Sequence, residues 1–359
     1  MKWTVINDLH IGVNRTGGTT AESASKLRQF ALDRYAELLG LGQRIIINGD
    51  MFDAYNIPLS DLLQAYQITA EWLLDDSEAF HSLHLIPGNH DLSKNSMNLG
   101  SFQLLAHLLM ARFPNRVFYL PGANWVSEGD GIYAISHVAN QELFELALSN
   151  VPDNVKVLLL HCNFDNVFAG QSDHSLNLSR DQAKALTKRG ITIVMGHEHQ
   201  GRTLMNDKVI IVGNQSPTSV SDCLVHGDGQ KDGRKYALAI DGDDMELVPT
   251  WSFKDDVGGF REVDWRDLAN APDGPLFIRV SGEASASEAP SVIKAISKFR
   301  QNSKAFVITN GVKVEGVCNA DTLAESVEDI RSVDVLAMLI ETLDEAQAAC
   351  VRKLLAEKV

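Results

Sequence analysis

No stretch of this 359-residue chain approaches the roughly 18 consecutive apolar residues that a membrane-spanning helix needs, so a transmembrane protein is not expected. Cysteine is scarce. The four present, Cys162, Cys223, Cys318 and Cys350, lie far apart and form no CxxC pair or other metal-ligand spacing, which argues against a cysteine metal site and for reduced thiols in a cytoplasmic protein. The segment 1–6 runs straight into a polar motif and leaves no room for a secretory signal. Internal repeats and low-complexity tracts are missing, which argues against a solenoid. Basic charge is also in deficit: 32 Lys and Arg against 47 Asp and Glu give a formal charge of −15, a balance that ordinarily disfavours a phosphate backbone as partner.

The content that is present belongs to a soluble globular protein, with 45% apolar and 22% charged residues. Its length suggests roughly two domains at about 150 residues each. Short apolar runs rich in β-branched residues predict strands over 3–7, 44–48, 82–86, 131–136, 156–160, 191–195 and 208–212. Between them, apolar residues three and four apart predict amphipathic helices over 21–39, 59–74 and 101–112. This alternation is the mark of an α/β layered domain. Gly-rich turns are expected at 227–233 and 241–244, flanking strands over 235–240 and 245–249. Beyond about Asp264 the texture changes: strand patterns at 276–280 and 305–308 bracket a helix near 290–300, a small βαβ-like unit. The segment 321–358 is acidic and strongly helical, with Leu336, Leu339, Ile340, Leu343, Val351, Leu354 and Leu355 as apolar contacts.

Almost every polar motif follows directly after one of these strands, where loops in α/β sheets gather ligands. In Asp8-Leu9-His10, alternation along an extended segment predicts that the two polar side chains share a side. Asp50 follows the apolar run 45–49. An ionised carboxylate there needs a partner, and a bridge between two metal ions 3.5 to 4 Å apart supplies one. Asp53 is expected nearby as an acceptor or loop stabiliser. In Gly88-Asn89-His90-Asp91, Asn89 offers an amide oxygen while His90 points elsewhere, towards a substrate. His161 ends the most continuous apolar strand, and Gly196-His197-Glu198-His199 ends another, with two imidazoles expected on one side of an extended segment. Each motif alone has an ordinary structural explanation: a capped turn, a Pro-Gly-Asn loop, a satisfied core histidine. Five strand ends carrying ligand-type side chains are far more specific than any one of them.

In that order, DxH, GDxxD, GNHD, an isolated His and GHxH, the motifs resemble those of the calcineurin-like metallophosphoesterases, a likeness that covers about residues 1–249. The resemblance implies an α/β fold, a four-layer β-sandwich flanked by helices over 1–250; the small α+β unit over 264–318, a cap, and the helical tail over 319–359 are appended to it. It implies one divalent ion held by Asp8, His10, Asp50 and His199 and a second held by Asp50, Asn89, His161 and His197. His90 would then be the catalytic histidine that stabilises the transition state or protonates the leaving oxygen. Ligands of mixed oxygen and nitrogen type suit Mn²⁺.

Within that superfamily the local wording, Asp8-Leu9-His10-Ile11-Gly12, Gly49-Asp50-Met51-Phe52-Asp53 and Val212-Gly213-Asn214-Gln215-Ser216-Pro217, is similar to the SbcD-type nuclease subunits. This likeness implies DNA as substrate, with the 264–318 unit as a DNA-binding cap, and an SMC-like ATPase of the SbcC type as partner, docked through the tail; a homodimer is an allowed assembly. Some relatives carry a histidine where Asp53 stands, so their substrate contact at that position does not transfer. The acidic charge is uneven: residues 1–50 hold six basic and five acidic side chains, and residues 151–200 hold five of each. Two dications would add about four positive charges beside a phosphate. A phosphoesterase for small molecules or phosphoproteins is the alternative enzyme, and a non-catalytic scaffold the alternative of another class.

Overall fold

The computed structural model describes residues 2–14, 19–75, 80–93, 98–166, 175–224, 233–252, 259–271 and 276–315. The expected helical tail, Cys318, Cys350 and nearly all of the turn expected at 227–233 lie outside the described residues.

Two six-stranded sheets lie face to face. The first contains β1 (Lys2–Ile6), β2 (Arg44–Asn48), β3 (Ser82–Ile86) and β4 (Val117–Tyr119), mutually parallel, extended beyond β1 by an antiparallel hairpin. The second contains β5 (Ala123–Ser127), β6 (Ile132–Ile135), β7 (Val157–His161), β10 (Thr192–Gly196), β11 (Arg202–Leu204) and β12 (Val209–Ile211), in the order β11-β12-β10-β7-β6-β5. Its four inner strands are parallel and both edge strands antiparallel. Between β7 and β10 lies a two-residue pair, β8 (Asn163–Phe164) with β9 (Asn177–Leu178). The hairpin of the first sheet is β13 (Arg234–Asp241) and β14 (Asp244–Ser252), closed by the expected tight turn with Gly242 at φ +63°.

Every central strand is buried on both faces, and this explains why such strands read as unbroken apolar runs rather than as alternations. In β2, Ile45 and Ile47 face outward beneath α1 (Ala21–Leu39), α2 (Leu59–Leu74) and α3 (Ser101–Arg112), packing with Leu32, Tyr35, Leu62 and Phe102. Ile46 faces the sandwich interior with Val157 and Leu159 of β7. On β7 the other set, Leu158 and Leu160, faces α4 (Gln141–Ser149) and α5 (Arg180–Lys188), against Phe144, Leu148, Ala183 and Leu186. Helix, sheet, sheet and helix therefore form four layers, as expected. Truncating Ile45, Ile47, Leu158 or Leu160 to alanine would cost about 2–5 kcal/mol.

The first three helices have the bounds that the periodicity predicts. Helices α4 and α5 are not anticipated, because nine residues give too little periodicity. Their caps were nonetheless written in the sequence: Asn140 accepts from the Leu143 N–H, and Ser179 and Gln182 form a reciprocal capping box.

The C-terminal residues form a parallel three-stranded sheet of β15 (Phe260–Asp264), β16 (Phe277–Ser281) and β18 (Val307–Asn310), with α6 (Ala289–Asn302) as the crossover between the last two. A short pair, β17 (Glu283–Ala284) with β19 (Lys313–Val314), continues it. One face of the sheet packs on α6 through Ile278, Val280, Val292 and Ile296. The other shares a buried cluster with α1: Phe277, Phe306 and Val307 meet Leu27, Ala31 and Val13.

Candidate metal centre

The sequence-predicted residues meet where the carboxyl ends of β1, β2 and β3 face those of β7 and β10. Asp8, His10, Asp50 and His161 are buried, and His90, Asn89, His197 and His199 are partly exposed. Ligand atoms of Asp8, His10 and His199 lie within 4.8 Å of one another, and so do those of Asp50, His161 and His197. The Asn89 Oδ1 lies 3.2 Å from His161 Nε2 and 3.0 Å from His197 Nδ1, which joins it to the second group. A third group, His10, Asp53 and His90, borders the first.

The route to this convergence differs from the expected one in two places. Asp8 and His10 are not on an extended segment: both have left-handed backbones, φ +52° and +48°. The chain turns sharply out of β1, held by Asp8 N–H to the Gly49 carbonyl and His10 N–H to the Asp50 carbonyl, each 3.1 Å, while Leu9 sinks into the core. His197, also expected on an extended segment, lies beyond the end of β10 with φ +81°. Asp50 itself sits at φ +49°. Left-handed backbone at residues with side chains is costly and tends to gather at functional sites.

Glycine is required at two motif positions for lack of space. A Cβ on Gly49 would lie 2.0 Å from the His161 Nδ1, and one on Gly88 would lie 2.2 Å from the Asp50 Oδ1. The polar side chains therefore occupy the volume that any other residue would need.

Hydrogen bonds assign the imidazole tautomers, since a carbonyl or carboxylate can only accept. His161 Nδ1 donates to the Asn48 carbonyl at 2.9 Å, leaving Nε2 to face Asp50 Oδ2 at 3.2 Å. His90 Nδ1 donates to the Asp53 carbonyl at 2.7 Å. His199 Nδ1 donates to Asp222 Oδ1 at 2.7 Å. Asp53, expected as an acceptor, has its carboxylate 3.4 Å from His10 Nδ1. The Nε2 atoms of His10 and His199 converge at 3.0 Å, and His199, with its proton on Nδ1, brings a lone pair to that contact. A cation between the two rings would accept from both.

Electrostatics makes the same demand. Burial disfavours a charged Asp50, yet His161, with smaller contributions from His10 and His90, holds its carboxyl well below the usual range. Burial likewise disfavours a charged His161, but Asp50 and Asp8 raise its imidazole to about 10. Two buried carboxylates thus draw positive charge into the pocket, and divalent ions would meet that need with the same donors. The donor set of carboxylates, imidazoles and one amide oxygen fits such ions.

Several supporting residues escaped sequence reasoning. Asp91 closes the GNHD motif without belonging to any of the converging ligand groups. Its carboxylate accepts N–H groups of Gly88 at 2.9 Å and Phe52 at 3.0 Å, so it clamps the loops that carry Asp50 and Asn89. Burial, reinforced by the charge of Asp50, raises it to about 7. Asn48 donates from Nδ2 to the Leu160 carbonyl at 3.0 Å and stitches the two sheets together beside the site. Glu198, between the two motif histidines, accepts the Phe164 N–H at 2.6 Å and pairs with Arg202. Asp222 lies 23 residues beyond His199 and no local pattern announces it.

The sequence profile of the calcineurin-like phosphoesterase family matches residues 1–201. No curated protein matches the chain significantly. Among solved structures, a Staphylococcus aureus protein provisionally assigned as a 5′-nucleotidase, in complex with α-ketoglutarate, is 16% identical, with a TM-score of 0.34 over 69% of this chain. That match spans 54% of the Staphylococcus protein, so this chain covers about half of its length. A dimetal phosphatase from Danio rerio is 11% identical, with a TM-score of 0.33 over 70% of this chain and 97% of its own.

Proposed function

The chain belongs to the calcineurin-like phosphoesterases, and from that premise we propose that it is a two-metal hydrolase of DNA phosphodiesters. The observation that carries the hydrolytic reading is the convergence of seven ligand-type side chains from five strand ends in two adjoining groups. Asp8, His10, Asp50 and His199 would hold one ion, and Asp50, Asn89, His161 and His197 the other, with manganese the metal that the donors suit. When bound, the ions supply an activated water and neutralise the phosphate oxygens. His90 is the catalytic residue. With Nδ1–H tied to the Asp53 carbonyl, the ring in its imidazolium form would donate Nε2–H to the leaving oxygen. Its backbone N–H donates to Asp50 Oδ1 at 2.9 Å, so the same loop orients the bridging carboxylate and the acid.

DNA as substrate and an SbcC-type ATPase as partner rest on the local wording at 8–12, 49–53 and 212–217 and on the order and length of the C-terminal third; a homodimer is an allowed assembly. The net charge of −15 favours the second reading, a phosphoesterase for small molecules or phosphoproteins. The full chain with Mn²⁺, incubated with linear duplex, hairpin and single-stranded DNA, with and without the ATPase, separates the two. Cleavage of DNA is expected. Turnover of a small chromogenic phosphoester with none of DNA would replace the first reading by the second.

A further inference from the structure

His199 is, with Asn89 and His197, one of the partly exposed candidate ligands. Its side chain is 29% exposed, whereas those of Asp8, His10, Asp50 and His161 are buried, so packing alone does not orient the ring. The contact that does so comes from beyond the stretch that bears the motifs. Asp222 accepts the His199 Nδ1–H through Oδ1 at 2.7 Å. Its Oδ2 accepts the N–H groups of Thr218 and Ser219, both at 2.9 Å, and the Thr218 hydroxyl at 3.1 Å, so the carboxylate is locked on both sides. Lys235 Nζ donates to the His199 carbonyl at 3.3 Å and fixes the backbone behind it.

Asp222 is the middle residue of a single 3₁₀ turn, Ser221–Cys223. While Asp222 reaches His199, the flanking Val220 and Cys223 are buried in the cluster that Phe277, Phe306 and Val307 of the C-terminal sheet share with Leu27 and Ala31 of α1. One turn thus joins a candidate metal ligand to the core of the C-terminal unit.

We propose that Asp222 is the positioning residue for His199, and that its own seat is set by the core of the C-terminal unit through Val220 and Cys223. The assignment rests on the metal-centre reading above. A locked carboxylate on Nδ1 selects one tautomer and one ring plane, and keeps the Nε2 lone pair directed at the ion that Asp8 and His10 would share.

Calorimetric titration of the full chain with Mn²⁺, resolving the two binding steps, tests this. Removal of such an outer partner typically weakens a metal site by about 10- to 100-fold. Asp222→Ala is expected to do so for one ion and leave the other within about threefold, whereas a merely structural role would weaken both. Asp222→Asn keeps only one acceptor oxygen, which the Thr218 and Ser219 N–H groups claim, so its amide NH₂ faces Nδ1 and the same ion should be weakened as in Asp222→Ala. Val220→Ala should weaken the same ion in the same direction. Nitrogen-15 spectra of the His199 ring supply a readout free of metal: one Nδ1-protonated tautomer in the parent protein, a mixture in Asp222→Ala and the Nε2-protonated tautomer in Asp222→Asn. Two ions bound by the parent with unchanged steps in Asp222→Ala, or equal weakening of both steps, would overturn the positioning role alone. A parent protein that binds no ion would overturn the metal-centre reading together with it.

Discussion

The two sheets contribute unlike halves of one site. Strands β1, β2 and β3 deliver both carboxylates, the amide and His90, together with His10. Strands β7 and β10 deliver only imidazoles, His161, His197 and His199. The two groups assigned to the ions draw on both: Asp8 and His10 meet His199, and Asp50 meets His161 and His197. Neither of these two groups is complete within one sheet. The site is a property of the seam, and the anionic half and the imidazole half should therefore fail differently when altered.

The largest expected effect comes from breaking the anionic half. Asp50→Asn removes the one carboxylate that the two proposed ligand sets share, and metal analysis after dialysis should show neither ion retained, with hydrolysis lost. His90→Ala belongs to the same half but touches neither ion position. A fall in kcat of about 10²- to 10⁴-fold with full metal content is expected, measured on a phosphodiester. Retention of the parental rate would remove His90 from its catalytic role.

The first sheet also carries a pH signature away from the seam. His84, buried on β3 against Phe118 and Trp3, is lowered from 6.5 to about 4 by burial, with a contribution from Arg44. Because the folded form binds its proton less readily than the unfolded chain, this contribution to stability is complete above pH 6.5. It is lost as pH falls towards 4, by up to about 3 kcal/mol. Urea melts across that window should show the slope, and His84→Phe should flatten it. Stitching between the sheets is worth less. Asn48→Leu leaves the Leu160 carbonyl without its partner and should cost about 1–3 kcal/mol, with looser metal binding as the sign that the seam has shifted. At the opposite extreme, Lys156→Ala deletes an exposed ion pair with Asp243, and thermal melts should show no measurable change.

Much of this architecture was legible in order of residues because the physics involved is local. Periods of three to four placed α1, α2 and α3, and apolar runs bounded by turn residues placed the central strands of both sheets. The motif residues at strand ends stood out for a similar reason: a carboxylate or imidazole after a buried strand has few ordinary partners. Helices α4 and α5 were missed because they are short, although Asn140 and Ser179 marked their starts. The backbone at Asp8, His10 and His197 was misjudged because alternation assumes an extended chain, and contacts across the fold bend these residues into left-handed conformations.

Composition, periodicity and the motif set are local properties. They sufficed for the layered α/β class, for the kind of side chain at each strand end and for a chemistry of metal ions and phosphoesters. Which side chains would share an ion, which ring nitrogen is left to face it, and that Asp222 rather than a neighbour supports His199 depend on contacts between residues as far apart as Asp8 and His197 or Asn48 and Leu160. Such contacts exist only once the burial of Ile46, Val157 and Leu159 has brought the two sheets together. No local pattern encodes them.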